Sequence, residues 1–240
     1  MSPAGSSAFD FEILPQPNDS TCGPTCLHAV YRYFKDRVAL DDVIAEVPRV
    51  AGGGTLAVNL ANHALRRGYR ASIVTYNLNV FDPSWFAGEP PDLAERLTAQ
   101  SDAKQDPRLS EATTAYLEFL RLGGRITMED LSPRLLRRWL EQQRPILTGL
   151  SATFLYRSAR EIGDEVLQDD DLLGLPTGHF VVLCGYDRDE RKVRVADPYE
   201  RRSSEQLYWL PVERVTNSIL LGVLTYDANL LILDPPEQRG

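Results

Sequence analysis

The chain has 240 residues, of which 43% are hydrophobic and 25% are charged, with a formal net charge of −8. These values predict a globular protein with one sizeable core, built as one domain or as one domain with an insertion. The negative charge disfavours nucleic acids and anionic membranes as partners. The sequence shows no secretory signal and no apolar run of the roughly 18 residues that a membrane span needs.

The chain contains three cysteines, Cys22, Cys26 and Cys184. An odd and small number suggests no disulfide framework and favours the reducing cytoplasm. Cys26 follows Cys22 by four residues, and neither this spacing nor the apolar surroundings of Cys184 is typical of a zinc site, so both are predicted to fill the core. The glycines at 52–54 lack a phosphate-binding pattern around them. We therefore expect no metal and no cofactor.

The first half of the chain predicts mostly helices. Residues 1–12 are interpreted as a flexible or loosely docked tail, and Thr55 is a candidate helix cap. Residues 79–130 are interpreted as a helical insertion into the main domain. Helices are predicted at 22–34, 40–47, 55–68, 92–100, 110–122 and 132–143, with strands at 70–76 and 145–150.

The last third predicts strands, at 179–187, 192–198, 206–212, 219–227 and 229–234. Helices that precede most of the strands indicate an α+β class. Before these strands lies an acidic segment, 158–176, which we interpret as a solvated loop. The alternative is a mobile lid that selects basic substrates.

Cys22 is the candidate nucleophile. It follows a polar turn and begins a predicted helix, whose dipole and free N–H groups favour a thiolate and would stabilise an oxyanion beside the sulfur. Gln16, six residues earlier, carries an amide that could donate to the same oxyanion. Gly23 is expected to leave room for a substrate backbone.

A thiol nucleophile needs a base, and the chain has three histidines. His28 and His63 lie within helical patterns and are expected to have structural or surface roles. His179 follows Thr177 and Gly178 and opens a long apolar strand, where a sheet would hold it rigidly at the edge of solvent. His179 is therefore the candidate base.

Asp197 is the candidate partner that orients His179, because it ends the strand that follows the one opened by His179. A hairpin loop of three or five residues centred on residue 188 would place 179 directly opposite 197. A loop with an even number of residues would offset the pair and require a bulge. Asp234 is a rival, although nothing in the sequence connects it with His179.

These motifs resemble those of the double-glycine, bacteriocin-processing cysteine peptidases and their stand-alone relatives. The resemblance lies in Gln16-x5-Cys22-Gly23-Pro24-Thr25, then Gly178-His179-Phe180-Val181-Val182, then Asp197-Pro198. It implies a papain-like fold in which the nucleophile helix packs on a C-terminal antiparallel sheet. By motif and order, it assigns Cys22, His179, Asp197 and Gln16 to the active site.

The resemblance implies one papain-like domain over residues 13–240 and a peptide or protein substrate. The function predicted first is hydrolysis of a peptide or isopeptide bond through an acyl-enzyme on Cys22. Transfer of the same acyl group to an amine is an alternative that the sequence does not separate from hydrolysis. A third possibility is a peptide-binding module without catalysis, which the presence of Cys22 disfavours. The sequence does not indicate an oligomeric state.

Overall fold

The computed structural model describes residues 6–50, 53–89, 91–163, 168–200 and 205–236. Its described strands form an eight-stranded sheet and a separate two-stranded hairpin. Among the described residues, no helix has the length and apolar character needed to cross a bilayer. The described helices are α1 (Cys22–Tyr33), α2 (Leu40–Glu46), α3 (Ala57–Arg66), α4 (Leu93–Lys104), α5 (Pro107–Arg121), α6 (Pro133–Leu140), α7 (Ala152–Tyr156) and α8 (Val212–Leu221).

The large sheet has the strand order β3-β2-β10-β4-β7-β8-β9, and β1 pairs with β7. Its strands are β1 (Ser6–Ala8), β2 (Arg70–Thr75), β3 (Arg125–Thr127), β4 (Ile146–Ser151), β7 (Gly178–Asp187), β8 (Lys192–Ala196), β9 (Leu207–Pro211) and β10 (Asn229–Asp234). Strands β2 and β3 are parallel, whereas every other described pairing in this sheet is antiparallel. The predicted α+β class, with a helix packed on an antiparallel sheet, is confirmed.

Strand β7 lies near the middle of the sheet, and its nine residues after Gly178 are all buried. A continuous apolar run of this kind needs cover on both faces of the sheet. Helix α1 packs against β7 and β4, α3 packs against β2 and β10, and α8 packs against β4, β8 and β9. The N-terminus of α1 is thereby fixed close to the start of β7.

The interpretation of the N-terminal segment as a tail is wrong for residues 6–12. Strand β1 pairs with the second half of β7, and the side chains of Phe9, Phe11 and Ile13 are buried. Their spacing of two residues is that of an extended segment with one face on the core. Residues 1–5 lie outside the described part of the chain.

The predicted strand over 219–227 is also wrong. Helix α8 and a turn of 3-10 helix, Gly222–Thr225, occupy this segment. Val212, Val215 and Ile219 are buried at helical spacing, so the helix begins well before the apolar run that suggested a strand. A short apolar run does not distinguish a strand from a buried helix.

The segment predicted as an insertion, 79–130, contains α4, α5 and β3. Strand β3 extends the large sheet beside β2, and α5 packs against α3, so part of this segment is built into the main fold. Thr55 does not cap α3: its hydroxyl donates to the Pro48 carbonyl instead.

The acidic segment contains the two-stranded hairpin of β5 (Glu161–Ile162) and β6 (Gln168–Asp169), with residues 164–167 outside the description. It exposes the leucines Leu172, Leu173 and Leu175 as well as carboxylates.

Candidate active site

Cys22 is the first residue of α1 and follows a tight polar turn. In this turn the Asn18 carbonyl accepts hydrogen bonds from both the backbone N–H and the hydroxyl of Thr21. Thr21 makes no side-chain cap, and the first turn of α1 holds no acidic residue. The positive end of the helix dipole therefore acts on the Cys22 sulfur without a negative side chain from the first turn of the same helix.

Contacts between α1 and β7 set the distance between the nucleophile helix and the strand of the candidate base. Cys26, one helical turn after Cys22, donates its S–H to the backbone carbonyl of Phe180 at 3.2 Å. A Cβ at Gly23 would come within 2.7 Å of the Thr55 methyl group and within 3.2 Å of the Phe180 ring. Close packing therefore requires glycine at position 23, and its role in leaving room for a substrate backbone stays a prediction.

His179 lies on β7 and is largely buried. Its Nε2 donates to Asp197 Oδ1 at 2.8 Å, which leaves Nδ1 to face Cys22, whose side chain interacts with the ring. Burial by itself would lower the pKa of His179, but the Asp197 carboxylate and Cys22 raise it to about 10. The structure therefore brings Cys22, His179 and Asp197 together in one contiguous group.

The hairpin between His179 and Asp197 follows the predicted alternative of an even loop with a bulge, so the two residues do not lie directly opposite each other. The hairpin loop has four residues, since Asp187 pairs with Lys192. A bulge then adds one residue to β7 between Leu183 and Gly185. Beyond the bulge Val182 pairs with Ala196, so Asp197 continues opposite residue 181 and reaches His179 along a diagonal.

The bulge decides which face of the sheet carries Asp197. Without the extra residue, the pairing of Gly185 with Arg194 would continue and place Asp197 opposite Val182, on the other face from His179. Strand β7 also changes neighbours at this point, because its first half pairs with β4 and its second half with β1. Bulges of this kind re-aim side chains next to functional sites.

Asp197 is fully buried, and four donors surround its carboxylate. Oδ1 accepts from His179 Nε2 and from the backbone N–H of Tyr199 at 2.9 Å. Oδ2 accepts from the phenols of Tyr156 at 2.7 Å and Tyr208 at 2.5 Å. Burial favours the neutral acid, but His179 and the other donors hold the pKa of Asp197 below its usual range. The rival, Asp234, instead pairs with Arg144 at 2.7 Å.

Gln16 lies beside the group formed by Cys22, His179 and Asp197. Its backbone N–H donates to the carbonyl of Pro198 at 2.9 Å, which ties the N-terminal segment to the residue after Asp197. Its side chain lines a cavity with His179, and its amide nitrogen donates to the Asn18 carbonyl at 3.0 Å. Because an amide nitrogen carries two hydrogens, one further hydrogen bond from Gln16 is chemically possible.

A cleft of about 870 Å³ runs past Cys22 and His179. Its walls include Thr55, Leu150 and Asp227. Asp227 Oδ2 accepts from the backbone N–H of Ala57 at 2.6 Å, at the start of α3, and burial raises the pKa of this carboxyl to about 7.

Sequence reasoning missed Asp227 and the three tyrosines around Asp197. Tyr156 belongs to α7 and Tyr208 to β9, and both segments are distant from Asp197 in the sequence. Only Tyr199, two residues after Asp197, had a local signal.

Residues 111–219 match the model of the Peptidase_C39 like family. This stretch includes His179 and Asp197, whereas Gln16 and Cys22 precede it. None of the curated proteins matches the sequence.

Three solved structures resemble the whole chain. A putative C39-like peptidase from Bacillus anthracis has a TM-score of 0.53 and 14% identity, over 97% of this chain and 99% of that one. Xylellain, a cysteine protease from Xylella fastidiosa, has a TM-score of 0.45 and 14% identity, over 96% and 85%. A double glycine motif protease from an AMS/PCAT transporter, in complex with the leader peptide, has a TM-score of 0.44 and 15% identity, over 95% and 94%.

Of these three, the Bacillus anthracis protein has a TM-score above 0.5, and the comparison of folds rests on it. The family match and this shared fold confirm the resemblance to C39-like peptidases. The family match over residues 111–219 indicates a cysteine peptidase-like enzyme.

Proposed function

We propose that this enzyme cleaves a peptide or isopeptide bond through an acyl-enzyme on Cys22. The observation that carries the proposal is the chain of contacts from the Cys22 thiol through His179 to the buried Asp197 carboxylate. A nucleophile beside a base that an orienting carboxylate holds by a hydrogen bond is the arrangement that nucleophilic catalysis requires. We also propose that residues 13–240 form one domain, to which the docked segment 6–12 adds a strand, and that this domain holds the group at the edge of the cleft.

In the proposed mechanism, the Cys22 thiolate attacks the carbonyl carbon of the bond to be cleaved. His179 takes the thiol proton on Nδ1 and later gives it to the leaving amine. Asp197 accepts from Nε2 and thereby holds the ring in the tautomer and orientation that direct Nδ1 at the sulfur. Water then attacks the thioester, which releases the acid and restores the thiol.

The oxyanion of the tetrahedral intermediate would be bound by the backbone N–H of Cys22 and the second amide hydrogen of Gln16. The first group lies at the positive end of α1, and the second lies beside His179. Donors that are fixed in place before the reaction stabilise developing charge more than mobile water does. All three cysteines are free thiols, and we place the reaction in a reducing compartment such as the cytoplasm, where an activated thiolate persists.

The first test measures the rate at which iodoacetamide alkylates Cys22 at neutral pH, with peptide mapping to locate the adduct. We expect Cys22 to react much faster than an ordinary exposed thiol, and His179→Asn to reduce its rate by about 10²-fold or more. The matched control is His63→Asn, which removes another buried histidine and should leave the rate unchanged. A wild-type rate equal to that of free cysteine would contradict the proposal.

The second test incubates the enzyme with a peptide library and follows the products by mass spectrometry, with Cys22→Ala as the blank. Cleaved peptides that require Cys22 would support hydrolysis. Adducts that appear only when amines are added would instead assign acyl transfer to the same site. Peptide binding that is equal in both proteins, without any product, would indicate a binding module.

A further inference from the structure

The carboxylate of Asp197 has an unusual set of partners for a buried side chain. Two phenols, those of Tyr156 and Tyr208, donate to the same oxygen, Oδ2, while His179 and the Tyr199 N–H share Oδ1. A carboxylate offers about four acceptor positions, and here four donors occupy them. The side chain of Asp197 is fully buried, so these donors take the place of water.

The two phenols come from opposite sides of Asp197. Tyr156 ends the short helix α7, which follows directly from β4, and Tyr208 lies on β9, which pairs with β8 next to Asp197. Since the carboxylate group is planar, two donors fixed on Oδ2 also fix the direction of Oδ1. That direction is the one in which His179 Nε2 lies, at 2.8 Å.

The phenols also discriminate between the charge states of Asp197. Hydrogen bonds to a carboxylate favour the charged form over the neutral acid. Burial and the neighbouring carboxylate raise the pKa of both tyrosines, so each keeps its proton and remains a donor. Protonation of Asp197 on Oδ2 would displace at least one of these donors.

We propose that Tyr156 and Tyr208 are positioning residues that hold Asp197 ionised and in one orientation towards His179. The catalytic consequence rests on the function proposed above, since an ionised Asp197 is what stabilises the imidazolium formed when Cys22 loses its proton. The tyrosines touch neither the sulfur nor the bond to be cleaved in this proposal, and they act through Asp197.

The direct test measures the pKa of the Asp197 carboxyl by carbon-13 NMR in the wild type, Tyr156→Phe, Tyr208→Phe and the double variant. Phenylalanine keeps each ring and removes only the donor. Each single substitution should raise the pKa of Asp197 by about one pH unit, because a hydrogen bond to a charged group is worth that much or more. The double variant should show the larger shift.

The matched control is Tyr33→Phe, which also removes a phenol hydrogen bond, here to the Gln143 carbonyl at 3.1 Å, away from the site. It should leave the pKa of Asp197 unchanged. Thermal unfolding identifies any variant that does not fold, and Tyr156 and Tyr208 are tested separately so that one folded variant suffices. An unchanged Asp197 pKa in a folded Tyr156→Phe or Tyr208→Phe protein overturns the proposal.

The second readout is the pH dependence of Cys22 alkylation. In the tyrosine variants, the acidic limit of the fast reaction should move to higher pH, because Asp197 becomes protonated earlier. A purely structural role for the tyrosines would lower stability without moving this limit. If the wild-type thiol shows no fast reaction, the proposed function fails, while the NMR titration still decides the role of the tyrosines.

Discussion

Two histidines in this protein have the same kinds of partners and different surroundings. His63 contacts the Tyr31 hydroxyl through Nδ1 at 2.8 Å and the Glu46 carboxylate through Nε2 at 3.0 Å. His179 has Cys22 on one side and Asp197 on the other. Both rings are largely buried. Judged by their contacts alone, His63 and His179 would look alike.

The difference lies in the carboxylates. The Glu46 side chain is 61% exposed, whereas that of Asp197 is fully buried. Water screens the charge of Glu46, so burial prevails and the pKa of His63 is lowered despite the ion pair. The buried Asp197 overcomes the same burial effect and raises the pKa of His179 to about 10. A histidine between two partners is thus a candidate base when its carboxylate is also shielded from water.

The largest expected effect comes from neutralising each carboxylate in turn. Asp197→Asn should lower the rate of Cys22 alkylation at pH 7 by roughly 10²-fold, because the imidazolium loses its buried counter-charge. Glu46→Gln, the matched change beside His63, should leave the rate unchanged. Iodoacetamide labelling followed by mass spectrometry measures the alkylation rate of both variants. Equal effects of the two substitutions would contradict the proposed difference between the two carboxylates.

The next expected effect is a difference between the pKa values of the two histidines. His63 should titrate below its usual pKa of 6.5, and His179 should stay protonated until about pH 10. The raised pKa of His179 contributes stability that is fully present below pH 6.5 and is lost as the pH rises through 10. Proton NMR of the ring resonances measures both titrations, and a His179 transition near 6.5 would refute the expectation.

The smallest effect is one of stability. Tyr31→Phe should destabilise the protein by about 1–2 kcal/mol, because Nδ1 of the buried His63 loses its partner. The rate of Cys22 alkylation should not change, since this hydrogen bond belongs to the fold alone. Urea unfolding measures the first quantity and the labelling assay the second. A slower alkylation in this variant would show that the two histidines are coupled.

Local sequence signals predicted most of the fold. Helix α1, the buried strand β7 and the final strand β10 had continuous apolar runs or clear helical spacing. The predictions failed where a pattern was short or was overridden by tertiary contacts. Residues 6–12 and helix α8 are the two examples. In both, the spacing of the apolar residues becomes clear only when a longer stretch of the sequence is considered.

The sequence indicated the residues that the structure brings together, but not the geometry that joins them. Cys22 and His179 could be singled out because each begins a secondary-structure element. The helix start offers free N–H groups to the thiol, and the strand holds the histidine rigidly. The bulge before Gly185 and the phenols of Tyr156 and Tyr208 had no comparable signal. Both depend on pairings between distant segments, which a single sequence does not encode locally.

Because of the bulge in β7, the number of strand residues between His179 and Asp197 determines which face of the sheet carries the carboxylate. Removal of the bulged residue Cys184, with the four-residue loop unchanged, would turn the carboxylate to the far side of the sheet, although every motif would still be present in the sequence. Removal of two residues, one from each strand, would keep it on the near side. In relatives with a hairpin loop of the same length, an odd or even number of residues in this interval should therefore be checked as well as the residues at its ends.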